Sequence, residues 1–367
     1  MHKHTQKKWI WCIGGGTLGP VSPLLAEAEY IREHAPHIGI VWCGSSEAEK
    51  DFVGNSVNFF QLMPEWKFRR EWSLRAIGKN ICDPLNWFTQ ISKILSLKKK
   101  FSPCAILSAG GFLGVPFAWL SSLLRVPFYL HHQDMSRTLT SYLCTPWAKI
   151  ITVNQPEQRA FFPYATVVNI PQPVRTVIVN ATSATDEECS AYGLNPSFPL
   201  ILVVGGGTGA LTLNQWVAME LYPALRARVT PYVVLHIAGM GKKVACVDIP
   251  NYYTQIEFMP QATLASFMRR ASLMISRAGW NALAEAGILK VPVIAFPLPD
   301  SPQELNAQFF QSRKAIIPTP EIGEGDTYIR SLLKDTSLLS RYGTALHTYF
   351  PRGGQRAWFN IIKKTWR

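Results

Sequence analysis

Three strand-to-helix junctions in this sequence carry the residue types that handle phosphate. Gly14-Gly15-Gly16-Thr17-Leu18-Gly19 follows the apolar run Trp9–Ile13 and precedes a helical pattern of Leu24, Leu25, Ala28 and Ile31. Gly205-Gly206-Gly207-Thr208-Gly209 repeats that placement ahead of Leu211, Leu213 and Asn214. Glycines let a backbone approach an anionic group, and a helix N-terminus adds N–H donors and a favourable dipole. The first loop lacks a ribose-binding acid at the end of the second strand, where Cys43-Gly44-Ser45-Ser46 stands, which disfavours a classical NAD site. Tight turns are the plainer reading of each loop, but a packing turn rarely needs three adjacent glycines, and here they occur twice.

The third junction is Ser276-Arg277-Ala278-Gly279-Trp280-Asn281-Ala282-Leu283-Ala284-Glu285. A strand ends at Ser276, a small-residue turn follows, and a helix carries Glu285 about two turns in. Its N-terminus can hold a diphosphate while the carboxylate accepts both hydroxyls of a ribose. Beyond it, Pro292–Asp300 reads as a buried strand ending in a rigid loop, with Gln303 and Asn306 at one-turn spacing.

The elements that must position these residues alternate regularly. Strand-like runs at Trp9–Ile13, Ile38–Cys43, Ala105–Ser108, Pro127–His131 and Ile150–Val153 are interleaved with helical patterns, the mark of a parallel α/β sheet. A second series begins near residue 200, with Leu200–Val204, Tyr232–Ile237, Gln255–Phe258, Leu273–Ser276 and Val291–Phe296. At 367 residues the chain accommodates two domains. The expected division is 1–175, 176–335 and a helical segment 336–367.

Taken together and in order, these segments resemble the MurG-like members of glycosyltransferase family 28. The resemblance rests on Gly14–Pro23, Gly110-Gly111-Phe112, His131-His132-Gln133-Asp134 with Pro173-Val174-Arg175, Gly205–Ala210 with Asn214, and Ser276–Glu285 with Asn306. It implies an α/β chain of the GT-B fold, two Rossmann-like domains facing a central cleft, with segment 336–367 returning to the first domain. It implies inverting transfer of N-acetylglucosamine from UDP-N-acetylglucosamine to an undecaprenyl-diphosphate-linked N-acetylmuramyl-peptide in peptidoglycan synthesis, with no metal or other cofactor. On this resemblance Arg175 and the loop Gly206, Gly207, Thr208 and Gly209 meet the diphosphate, Glu285 the ribose, Gln303 and Asn306 the sugar, and Met259 the uracil. Arg277, Ala278, Gly279, Trp280, Asn281, Ala282, Leu283 and Ala284 complete the donor stretch. Thr17, Leu18, Gly19 and Asp134 are the substrate-binding positions of the first domain. His236 matches a family position near the cleft, with a structural histidine as the alternative.

The sequence departs from the family where catalysis is concerned. Pro20 stands where the family has a histidine, and His132 and Asp134 stand where it has glutamate and asparagine. An inverting transfer needs a base to deprotonate the acceptor hydroxyl, so His132 or Asp134 is the expected replacement. Gly207 replaces the family's serine, which loosens the expectation for the sugar more than for the nucleotide.

The formal charge of +13 calls for an anionic partner. Seven dispersed cysteines with no Cys-x-x-Cys pair support neither a disulfide framework nor a zinc site and fit a reducing cytoplasm. The longest apolar stretch, Phe112–Leu124, falls short of the ~20 residues that span a bilayer. Residues 61–100 hold nine Lys or Arg against three acids, interleaved with Trp66, Phe68, Trp72, Trp87 and Phe88. That mixture suits an anionic membrane surface, and no nucleic-acid module accompanies it. Leu85, Phe88, Ile91 and Leu95 fall on one helical face, a stripe that by itself reads as core packing. The expected location is the cytoplasmic face of the cell membrane, peripherally bound. Two other functions fit the same residues: a related transferase with another lipid acceptor, and a catalytically silent nucleotide-sugar-binding scaffold, which Pro20 favours.

Overall fold

The computed structural model describes residues 7–16, 18–64, 88–206 and 209–365. Thr17, Gly207, Thr208, the side chain of Leu18, and Trp66, Phe68, Trp72, Leu85 and Trp87 lie outside what is described. The chain divides into two compact units, Met1–Arg175 with Gly353–Arg367, and Thr176–Arg352.

In the first unit β1 (Trp9–Ile13) leads into α1 (Leu18–His34), followed by β2 (Gly39–Gly44), α2 (Glu47–Val53) and β3 (Phe59–Leu62). After α3, described over residues 88–100, come β4 (Pro103–Ser108), α4 (Gly114–Leu124), β5 (Phe128–His132), α5 (Leu139–Cys144), β6 (Ala148–Val153) and β7 (Val167–Asn169). The strands form one parallel sheet in the order β3-β2-β1-β4-β5-β6-β7. Successive side chains of a strand face opposite ways, so β1 sends Trp11 and Ile13 into one apolar layer and Ile10 and Cys12 into the other. Burial on both faces explains why its sequence is continuously apolar.

The basic helix α3 departs from the sequence reading. Its buried positions are Gln90, Ile94 and Leu97, whereas Phe88 is 66% and Leu95 40% exposed. Gln90 can face the core because its amide donates to the Pro64 carbonyl, a partner that hydropathy does not register. The stripe read as core packing therefore lies partly in solvent.

The second unit contains α6 (Thr176–Val179), α7 (Asp186–Ala191), β8 (Leu200–Val204), α8 (Leu211–Trp216), α9 (Tyr222–Arg226), β9 (Val233–Ile237) and β10 (Tyr253–Ile256). It continues with α10 (Gln261–Arg270), β11 (Leu273–Ser276), α11 (Trp280–Leu289), β12 (Val293–Ala295), α12 (Pro302–Ser312), α13 (Gly325–Lys334) and α14 (Thr336–Tyr349). Its five parallel strands run in the order β10-β9-β8-β11-β12.

The C-terminal boundary differs from expectation. The chain stays in the second unit to Arg352, because α14 packs on α11: a Cβ on Gly287 would stand 2.9 Å from the Phe350 ring. His347 Nδ1 also donates to the Gly287 carbonyl at 2.9 Å. Only α15 (Gly354–Ile362) and the residues around it belong to the first unit. There Trp358 and Ile362 are fully buried among residues of α1 and β1.

Candidate functional site

In each sheet the strand order reverses at one place, between β1 and β4 and between β8 and β11. In open α/β sheets the carboxyl ends of the strands at such a reversal are where ligands bind. Both triple-glycine loops stand there.

In the second unit Val204 pairs with Ser276, so the loop after β8 and the turn after β11 start side by side. The Ser276 hydroxyl donates to the Val204 carbonyl at 2.7 Å. Gly206, with φ +83°, is exposed, and a Cβ there would meet nothing. Gly209, with φ +71°, passes so close to the next strand end that a Cβ would lie 2.4 Å from the Ala238 carbonyl oxygen. Two cations flank the loop: Lys242 donates to the Gly209 carbonyl at 3.2 Å, and Arg277 to the Thr212 hydroxyl at 3.2 Å. Partial burial lowers the Arg277 pKa from its ordinary value. Gly279 opens α11 without a side-chain cap, so the first-turn amides have no acceptor within the helix. Positive charge and amide dipoles thus gather at one sheet edge, an arrangement suited to a diphosphate.

A buried network holds the loop. Asn214 Nδ2 donates to the carbonyls of Ala238 at 2.9 Å and Lys242 at 2.8 Å, leaving Oδ1 to accept from His236 Nε2 at 3.0 Å. His236 Nδ1 then accepts from the Tyr253 hydroxyl at 2.9 Å. Burial lowers the His236 pKa to about 4. The histidine is a neutral structural brace.

The structure sorts the donor stretch by helical face. Arg277, Gly279, Asn281, Ala282 and Glu285 are partly exposed, whereas Ala278, Trp280, Leu283 and Ala284 are buried. Trp280 packs against Phe310 and Phe350, so its side chain belongs to the core. Met259 is buried, while its neighbour Phe258 is 67% exposed. Phe258, which the sequence reading passed over, offers the aromatic face there. Asn306, expected at the sugar, is fully buried and donates to the Ala278 carbonyl at 3.1 Å. It fixes the turn into α11. Gln303 Oε1 accepts from the Leu298 amide at 2.9 Å and so shapes the loop after β12.

The first unit carries a different set. Gly110 and Gly111, both at positive φ, follow β4 beside the first loop, and a Cβ on Gly111 would stand 2.9 Å from the Gly15 carbonyl oxygen and 3.6 Å from Pro20. Gly19 is exposed, and its carbonyl accepts from Gln133 Nε2 at 3.5 Å. His132 is only 3% exposed; its Nδ1 pairs with the Ser141 hydroxyl at 3.0 Å, and its ring lies edge-on to Phe161 and Phe162. Burial, with the nearby His131, lowers its pKa to about 3. Of the two bases the sequence offers, His132 is thus the enclosed one. Asp134 is partly exposed beyond the end of β5. Arg175 belongs to this unit, where its guanidinium donates to Glu29 at 2.6–3.2 Å and lies over the Phe52 ring. Its charge is matched there by a carboxylate.

Residues 10–153 match the glycosyltransferase family 28 N-terminal domain and residues 200–323 the family 28 C-terminal domain. A UDP-N-acetylglucosamine–N-acetylmuramyl-(pentapeptide) pyrophosphoryl-undecaprenol N-acetylglucosamine transferase of Lachnoclostridium phytofermentans is 30% identical over 309 residues, 83% of each chain. A second protein of that name, numbered 2, from Bacillus cereus is 29% identical over 97% of this chain and 98% of its own. Among solved structures, MurG of Acinetobacter baumannii superposes with a TM-score of 0.69 at 19% identity, covering 97% of this chain and 99% of that one. That likeness supports the fold, two parallel-sheet α/β domains.

Proposed function

Because the chain belongs to glycosyltransferase family 28, we propose that it transfers N-acetylglucosamine from UDP-N-acetylglucosamine to an undecaprenyl-diphosphate-linked N-acetylmuramyl-peptide. The observation that carries this reading is the β8–β11 reversal, where Gly206 is exposed, Lys242 and Arg277 stand beside the glycines, and α11 starts without a side-chain cap. The diphosphate lies on those groups, Glu285 accepts the ribose hydroxyls, and the exposed Phe258 ring covers the base. As the acceptor hydroxyl attacks the anomeric carbon with inversion, UDP departs and Asp134 takes the proton. Loop amides and cations stabilise the charge that grows on the leaving diphosphate. No cofactor enters this scheme.

Membrane contact belongs to the first unit. No described helix is long and apolar enough to cross a membrane. Phe88 and Leu95 on α3, with Trp119, Leu123 and Trp147, are exposed apolar groups, and Lys99, Arg125 and Lys149 stand among exposed residues of the same unit. Rings at the interface and cations at the headgroups favour peripheral binding to an anionic, cytoplasm-facing leaflet.

Pro20 and the enclosed His132 favour one second reading, a donor-binding homologue without turnover. Calorimetric titration with UDP-N-acetylglucosamine tests the donor site. Arg277→Met is expected to weaken binding roughly tenfold or more; unchanged affinity would remove the diphosphate from this edge.

A further inference from the structure

The two triple-glycine loops occupy equivalent places in their sheets, and the first is filled from within the chain. In the first, Glu49 from α2 extends its carboxylate into the loop. Oε1 accepts from the Gly15 amide at 2.9 Å and from the Trp42 indole at 2.8 Å, and Oε2 accepts from the Ser45 amide at 2.9 Å. The Ser45 hydroxyl accepts from the next amide, Gly16, at 3.1 Å. Glu49 is 5% exposed, so these bonds form largely away from water. The glycines make room for it: a Cβ on Gly14 would lie 2.0 Å from Oε1, and one on Gly44 2.9 Å from the carboxylate carbon. Ser46 caps α2 and accepts from the Glu49 amide at 3.2 Å, which fixes the direction of the side chain. Among the described residues, no side-chain carboxylate accepts from Gly205, Gly206 or Gly209.

We propose that Glu49 is the resident anion of the first glycine loop, standing where a phosphate would stand, so that Gly14–Gly16 are closed to phosphate. Glu49 is then a positioning and specificity-determining residue. It sets the backbone that enters α1. A phosphate on a substrate of the first unit is met elsewhere. The inference stands on this unit alone and is independent of the transferase reading.

Glu49→Ala leaves a carboxylate-sized hole lined by three donors. With twelve tryptophans in the chain, the Trp42 indole proton is identified by its loss in Trp42→Phe and followed by NMR in the full-length protein. The wild-type resonance is expected to ignore inorganic phosphate. In Glu49→Ala it should move upfield, then return saturably with formate but not with neutral, isosteric formamide, and inorganic phosphate should now perturb it. Glu49→Gln keeps the volume and serves if the alanine variant does not fold; its Gly15 and Ser45 amides should exchange with solvent at least tenfold faster than in the wild type. A wild-type indole that shifts with phosphate, equal effects of formate and formamide, or unchanged exchange in Glu49→Gln would each overturn the proposal.

Discussion

The α-carbon of Gly209 abuts the Ala238 carbonyl, whose oxygen lies 2.4 Å from where any β-carbon on residue 209 would stand. Two strand ends, β8 and β9, thereby meet through bare backbone, and the Asn214 amide bonds to that same carbonyl. Gly209→Ala must displace the loop and also strains a φ of +71°. The expected cost is about 1–3 kcal/mol of stability, together with loss of UDP binding, measured by thermal unfolding and titration. An alanine variant that binds UDP like the wild type would show that the loop does not hold the diphosphate.

Asp134 is the partly exposed carboxylate left once His132 is found enclosed. Asp134→Asn should keep donor affinity while kcat falls by roughly 10²–10⁴. Full turnover in that variant would move the base elsewhere.

Acid should act on the fold through its buried neutral histidines. Burial lowers the pKa of His131 to about 4, His132 to about 3 and His236 to about 4, all from 6.5. Each folded-state value lies below the unfolded one, so the unfolded chain binds more protons as pH falls. The stability these neutral rings contribute is whole above pH 6.5 and is lost from there down to about pH 4, or about pH 3 for His132. Each contributes a slope of up to roughly 1.4 kcal/mol per pH unit. In the first unit the neutral carboxyl of Glu27 opposes its two histidines over this range, so the effect is read cleanly in the second unit. His236→Gln should flatten the pH dependence of hydrogen exchange there between pH 6.5 and 5, and an unchanged slope would contradict the assignment.

Glu27 on α1 is fully buried, and among the described residues neither carboxyl oxygen has a partner. Burial holds its pKa well above the ordinary carboxylate value, so the folded protein keeps it neutral while the unfolded chain ionises it. Stability is therefore surrendered as pH rises from about 4.5 towards the folded-state value. Glu27→Met should stabilise the protein at pH 7 by about 1–3 kcal/mol, and by less at pH 4.5. A destabilised Glu27→Met at pH 7 would mean that the carboxyl has a role in the native state.

Much of this architecture was legible because parallel strands buried on both faces must be apolar throughout, as Trp9–Ile13 and Leu200–Val204 are. The glycine loops stood out for the same reason that they work, the absence of side chains. Burial of polar residues was not legible. Asn306 and Gln90 are core because each finds one backbone carbonyl, and His132 is enclosed because Ser141 and two phenylalanines surround it. Such partners are set by tertiary contacts. Glu49 did leave a signal, since Ser46-x-x-Glu49 has capping-box spacing. The spacing marks the start of α2, but not that the carboxylate turns into a loop thirty-odd residues upstream.

The most direct measurement is transfer itself. Purified protein is given labelled UDP-N-acetylglucosamine and lipid-linked N-acetylmuramyl-peptide, with release of UDP and labelling of the lipid product followed together. The account predicts one sugar transferred for each UDP released, with inversion at the anomeric carbon and loss of both signals in Gly209→Ala. Absence of transfer by the wild-type protein would contradict it, and donor binding without transfer would favour the homologue without turnover.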